Sequence, residues 1–152
     1  MSDTHDYPGR ALGLPADGPG SLAPFGRRLV AIFCDWTLAQ LVVLLVFGIG
    51  WGATGIAAFA PLAAFAVLNL LLLPTMGGTP GHQLLGLQVV SLQVDDVVAP
   101  QAWLARVPRV VPTLIRTVLL CLVVPALIFA SDGRGYHDRV AGTMILRRPQ
   151  SR

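Results

Sequence analysis

The chain has no lysine and no glutamate; all eleven basic residues are arginine and all eight acidic residues are aspartate. Charge of either sign is scarce, at 12% of residues, against about 25% in soluble domains. That is too little to wet the surface of a soluble domain of 152 residues, and it excludes an ordinary cytosolic globule. Two cysteines, Cys34 and Cys121, lie inside apolar runs and exclude a disulfide framework; each is expected to act as a small hydrophobe. No Gly-x-Ser-x-Gly, phosphate-cradling loop or nucleophile–base pair occurs, so an enzyme is not expected. Nothing calls for a cofactor, and no histidine or aspartate spacing matches a metal site. The net charge of +3 is modest, and the arginines flank apolar segments, which is the positive-inside pattern rather than a nucleic-acid surface.

What is abundant is apolar sequence, at 54% of residues with a mean hydropathy of +0.67. Residues 1–24 mix Asp, Pro and Gly, do not resemble a cleavable signal, and are expected to form a disordered cytosolic tail. A first span of about residues 29–49 follows Arg27-Arg28, and a second of about 53–73 is uncharged. Roughly 20 apolar residues suffice to cross the hydrocarbon core. The short Gly-rich connection makes the pair a tight helical hairpin, with Pro74 expected at its exit. Alanines at 57, 58, 60, 63, 64 and 66 permit close helix approach.

Thr79 is expected to cap a short helix with Pro80 at its first position. Residues 86–98 read as extended chain turning at Asp95-Asp96, followed by an interfacial segment bearing Arg106, Arg109 and Arg116. The third apolar run, about 110–130, has only fifteen residues between Arg116 and Asp132, or about 22 Å of helix against about 30 Å of hydrocarbon. A full crossing divides the arginines evenly between the two sides. A run that dips in and returns, or lies in the interface, keeps them all cytosolic, and the positive-inside rule favours it. The fold class expected is therefore all-α: a transmembrane hairpin, a third partly inserted or spanning helix, and a short extended cytosolic loop. The N-terminus is expected in the cytoplasm, with a basic tail over 147–152.

Two features carry chemistry. Asp35 lies seven positions, or two turns, beyond Arg28 on the same helix face, at membrane depth. An intramembrane carboxylate faces the protein interior and has a partner. Either it is an internal pair that fixes packing, or it is a proton or cation site. Arg116 is the expected partner, with Arg28 second. Asp138 is expected to be structural, accepting backbone N–H groups or pairing with an arginine.

Arg28-Leu-Val-Ala-Ile-Phe-Cys-Asp35, Thr79-Pro-Gly-His-Gln-Leu-Leu-Gly-Leu-Gln-Val-Val90 and His137-Asp-Arg-Val-Ala-Gly-Thr143 resemble, in order, the three signatures of the RDD family of small bacterial integral membrane proteins. The resemblance covers about residues 25–146. It implies that Arg28, Asp35 and Asp138 are the arginine and two aspartates of the family's name. It also marks Thr79, Pro80, Gly81, His82, Gly86, His137, Gly142 and Thr143 as interface-loop positions. His82 departs from the family's usual lysine, and Gln88 from a frequent basic residue. The resemblance implies a bacterial plasma-membrane location and little about molecular role; a few members are linked to sodium–proton exchange. No internal repeat of the kind that underlies alternating access is visible. The expected function is an accessory or scaffolding subunit, assembling with itself or a larger membrane complex. The alternative is a cation/proton transporter using Asp35. The expected partners are the bilayer, anionic lipids included, and other membrane protein chains, with no nucleic acid.

Overall fold

The computed structural model describes residues 7–91, 107–122 and 134–148. The turn at Asp95-Asp96, the segment around Arg106, the later half of the third apolar run and the chain beyond Arg148 lie outside the described residues. Helix α1 spans Phe25–Phe47 and ends where Gly48 turns left-handed at φ 67°, its N–H closing on the Leu44 carbonyl. A 3-10 turn over Gly55–Phe59 leads into α2, Ala60–Met76. Pro74 does not end α2 as expected; it sits in the last turn, and Gly77 at φ 69° is the stop.

Both helices bury a narrow stripe and expose the rest. In α1 the buried positions are Arg28, Ala31, Asp35, Ala39 and Val43; in α2 they are Pro61, Phe65, Asn69 and Leu73. Spacings of three and four place each set on one face. Away from these stripes the surface is apolar and exposed, as with Phe33, Leu45 and Leu71. α1 and the continuous helical stretch Gly55–Met76 that contains α2 are each only about a fifth buried, and both are long and apolar enough to cross a membrane. A helix of a soluble core hides its leucines; these present them outward, which water would penalise and lipid does not.

Beyond Gly77 the chain folds at one end of the hairpin. Thr79 stands at the N-cap position of helix α3, Pro80–Leu84, without the expected side-chain cap bond, and Pro80 is in the first turn as expected. Gly86, at φ 64°, then releases the chain into strand β1, Leu87–Ser91. Later, α4 spans Val110–Cys121, α5 spans Tyr136–Val140, and Gly142, again at φ 64°, opens β2, Thr143–Arg147. A five-residue helix, a left-handed glycine and a five-residue strand thus occur twice. That repeat was not evident in the sequence, because the two copies share little beyond a histidine and the glycine.

β1 and β2 pair antiparallel with Val89 opposite Ile145, so the domain is not purely helical as expected. Alternation splits the sheet's two faces. Leu87, Val89 and Ile145 pack on Ala23, on Ala31 of α1 and on Leu73 of α2, while Val90, Met144 and Leu146 pack on Leu14 and Leu22. The tail expected to be disordered over 1–24 therefore has fixed structure from Tyr7 onward. It includes a 3-10 turn at Arg10–Leu12, and Leu22 bridges Leu146 along the free edge of β2. The Ala23 N–H donates to the Ile145 carbonyl (2.9 Å), and the Arg147 N–H to that of Ser21 (3.0 Å). A lone two-stranded ribbon is marginal in water; this one is covered on both faces and along one edge.

Helix α4 packs against α2. It buries Thr113, Arg116, Thr117 and Leu120 and exposes Val110, Val111, Leu114 and Val118. Its Leu120 reaches Ala39 and Phe65, well down the hairpin, where Trp36 and Phe65 rings meet at 5.8 Å.

Candidate functional site: a buried polar network under the hairpin

Ala31 and Asp35 lie on the α1 face that α3 covers. The approach is close because residue 81 is glycine. A Cβ there would run into the Ala31 carbonyl oxygen and come within 2.9 Å of the Asp35 carboxyl. With that space open, the Gly81 N–H donates to Asp35 Oδ1 at 2.7 Å, and the Thr79 hydroxyl donates to Oδ2. Thr79 occupies the cap position but spends its hydroxyl on Asp35 rather than on its own helix. His82 Nδ1 lies 2.5 Å from the same hydroxyl oxygen and 3.5 Å from Asp35 Oδ2. Since the hydroxyl has one proton and gives it to Asp35, the imidazole supplies Nδ1–H to Thr79. Burial pushes His82 below the usual imidazole range; its bond to Asp35 opposes this, and the field of Arg116 adds to it. His82 is therefore neutral at pH 7 and acts as a relay donor, not as a fixed cation.

The second constellation lies between α4 and α5. Arg116 is fully buried and places Nη1 on Asp138 Oδ1. Thr143 Oγ1, at the start of β2, donates to the same oxygen at 3.2 Å, and His137 Nε2 stands 3.4 Å from Oδ2. Asp138 is thus paired with an arginine, one of the two arrangements expected. Arg28 is buried and donates through Nε to the Ala23 carbonyl at 2.7 Å; it shares a small cleft with Gly135 and His137. The expected Arg116–Asp35 pair is replaced: Arg116 goes to Asp138, and Asp35 takes neutral donors from the loop after α2. Arg116 still lies within electrostatic reach of Arg28 and Asp35, so the two constellations form one charge-balanced region.

Of the loop positions, Thr79, Gly81 and His82 bond around Asp35, and His137 and Thr143 surround Asp138. Pro80 sets the first turn of α3, while Gly86 and Gly142 are backbone turns. Sequence reasoning missed Thr113 and Thr117, which flank Arg116 on its buried face, and Asn69, whose Nδ2 donates to the Phe65 carbonyl at 2.9 Å. The signal available was the clustering of Thr113, Arg116 and Thr117 on one face of an otherwise apolar helix. Gln88, noted only as a departure from a frequent basic residue, accepts from Arg148 Nε at 3.2 Å. Cys34 and Cys121 are free, partly buried thiols.

Two measurements check this geometry. Removing one partner of a buried ion pair costs about 3–5 kcal/mol. Arg116→Gln and Asp138→Asn should each lower thermal stability in detergent, with the double variant losing clearly less than the sum. The same cycle between Arg116 and Asp35 should show weaker coupling; the reverse ranking would mean the pairing is misassigned. The second measurement is the pH dependence. With His82 lowered from 6.5, the unfolded chain binds the proton first, so stability is full above that value and falls as pH drops below it toward the folded pKa. His82→Gln should flatten this acid-side loss of the thermal midpoint, and an unchanged slope would show that His82 does not cause it.

The RDD family model matches residues 22–142, which takes in α1 to α5, β1, the Asp35 constellation and the Arg116–Asp138 pair, and ends one residue before Thr143. No curated protein and no solved structure matches the chain. With the three motifs gathered into one buried network and the match running across four-fifths of the sequence, the chain belongs to the RDD family of membrane-associated proteins.

Proposed function

We propose that this protein is a non-enzymatic, multi-pass accessory or scaffolding subunit of the bacterial plasma membrane, which acts by assembling with itself or with a larger membrane complex. The observation that carries this reading is the state of Asp35. Both of its oxygens accept hydrogen bonds from the protein, and the residue is 2% exposed. A carboxylate committed to a hydroxyl and a backbone amide fixes a joint; a transport site leaves ligand positions for its ion. The cavity of about 430 Å³ between α1 and α2 supports the same reading, since Val42, Phe47, Ala60, Ala63 and Val67 in its wall offer a cation no ligand. The exposed apolar surface of the hairpin is the face that such a subunit offers to other membrane chains.

The sheet supports a topology for this subunit. β2 lies beside β1 and the N-terminal segment, so chain on either side of the third apolar run meets at one end of the hairpin. This favours a third element that dips and returns, with the arginine-bearing end in the cytoplasm. Reporter fusions at Arg152 and Asp96 should both report inside; an outside signal at Arg152 alone would mean the third run crosses.

Assembly is tested by purifying the full chain from native membranes in mild detergent and identifying what comes with it by mass spectrometry. Self-association or a membrane protein at fixed stoichiometry is expected. A lone monomer that, in proteoliposomes, carries sodium or protons in an Asp35-dependent manner would overturn the reading.

A further inference from the structure

Three arginines converge on a polar pocket of about 200 Å³ at the sheet-bearing end of the hairpin, and the mechanics of the buried network use none of them. Arg27 comes from the first turn of α1, Arg147 ends β2, and Arg148 follows it; Gly18, Pro19 and Gly86 complete the wall. We propose that this pocket binds a phosphoryl group, and that the occupant is the headgroup of an anionic phospholipid.

The arrangement is built rather than a chance run of surface charge. Arg148 is tied down through Nε to Gln88 Oε1 and through Nη2 to the Met76 carbonyl at 3.1 Å, which fixes it at the C-terminal end of α2. Arg147 is placed by β-pairing opposite Leu87 and by its backbone N–H on the Ser21 carbonyl. Gly18 and Gly86 both have positive φ, and nothing stands within 4 Å of where their Cβ atoms would be, so the floor between the guanidinium groups is open. Guanidinium forks match the paired oxygens of a phosphate.

One carboxylate already visits the pocket. Asp17 meets Arg147 and feels the field of Arg27, with its carboxyl below the usual range because the Gly18 N–H and these arginines favour its charged form. Its side chain is 87% exposed, so it can swing away without unpacking anything. An anion therefore has a place in the pocket, and a single aspartate leaves the arginines in excess.

Position selects the lipid over free phosphate. Arg27 stands at the start of a 23-residue apolar helix, and Arg148 is bonded to the last residue of α2, so the pocket sits where lipid phosphates lie. Met76, whose carbonyl holds Arg148, exposes half its surface for the acyl chains.

The test is native mass spectrometry of the full chain in mild detergent, with phosphatidylglycerol, phosphatidylcholine and inorganic phosphate as probes. Phosphatidylglycerol should be retained and phosphatidylcholine should not. Arg27→Gln should lower retention about five-fold, the effect of one basic residue near an anionic surface. Asp17→Asn should raise it, a direction that misfolding does not mimic. Arg10→Gln, an exposed arginine outside the pocket, should change nothing. A thermal midpoint raised as much by inorganic phosphate as by phosphatidylglycerol would replace the lipid with a free anion. Equal retention in wild type and Arg27→Gln, loss in Arg10→Gln, or lowered retention in Asp17→Asn would each overturn the site.

Discussion

A carboxylate half-way down an apolar helix must be given hydrogen-bond donors, and most of this architecture follows from how Asp35 gets them. An aspartate at the centre of an inserting helix costs about 2.5–3.5 kcal/mol. Hydrogen bonds to a charged group contribute about 1.5–3 kcal/mol each, so the Thr79 hydroxyl and the Gly81 amide together are enough to offset it. To deliver them, the chain leaving α2 must turn at Gly77, fold α3 back under α1 and touch it with a residue that has no side chain. The signature Thr-Pro-Gly-His reads as the parts of that manoeuvre. Thr79 supplies a donor and Pro80 sets the first helical turn without wasting an N–H. Gly81 permits contact with Ala31, and His82 holds the threonine's hydroxyl toward Asp35.

The same constraint explains the charge inventory. Arg28, Asp35, Arg116 and Asp138 are all buried, two of each sign, within one region. Each cation stabilises its neighbours' carboxylates, and a further fixed positive charge would tip the balance. At position 82 this chain has a histidine that burial keeps neutral, and Thr79 and Gly81 supply the donors to Asp35.

These features were unequally legible in the sequence. The two apolar helices followed from hydropathy, and the start of a short helix at Thr79-Pro80 followed from local chemistry, although the Thr79 hydroxyl caps Asp35 and not the helix. An arginine partner for Asp138 was one of the two alternatives the residues offered, though Arg116 was assigned to Asp35 instead. The partner of Asp35 did not, because an opposite charge is conspicuous in a sequence whereas a backbone N–H made available by a glycine is not. β2 was missed because Val140–Leu146 has no turn signal pairing it to a neighbour. Its partner lies more than fifty residues earlier, and only the three-dimensional path brings Ile145 opposite Val89. The N-terminal segment misled for a related reason. Its Pro and Gly content resembles a disordered arm, yet Leu14 and Leu22 are spaced to cover one face of a sheet that had not been foreseen.

That segment also shows what the small sheet contributes. Two five-residue strands closing a loop this long gain too little from their own hydrogen bonds to offset its closure entropy. The sheet persists because its surroundings are already held. α1 and α2 are packed against each other, α3 is fixed by Asp35, and α5 by Arg116. Each strand follows its short helix after one left-handed glycine, so once both helices are docked the strands have little freedom left to lose. The N-terminal chain then shields Val90, Met144 and Leu146 from water. The sheet is therefore a consequence of the two carboxylate joints, and it in turn draws the segments before α1, after α2 and after α5 into one cap on the hairpin.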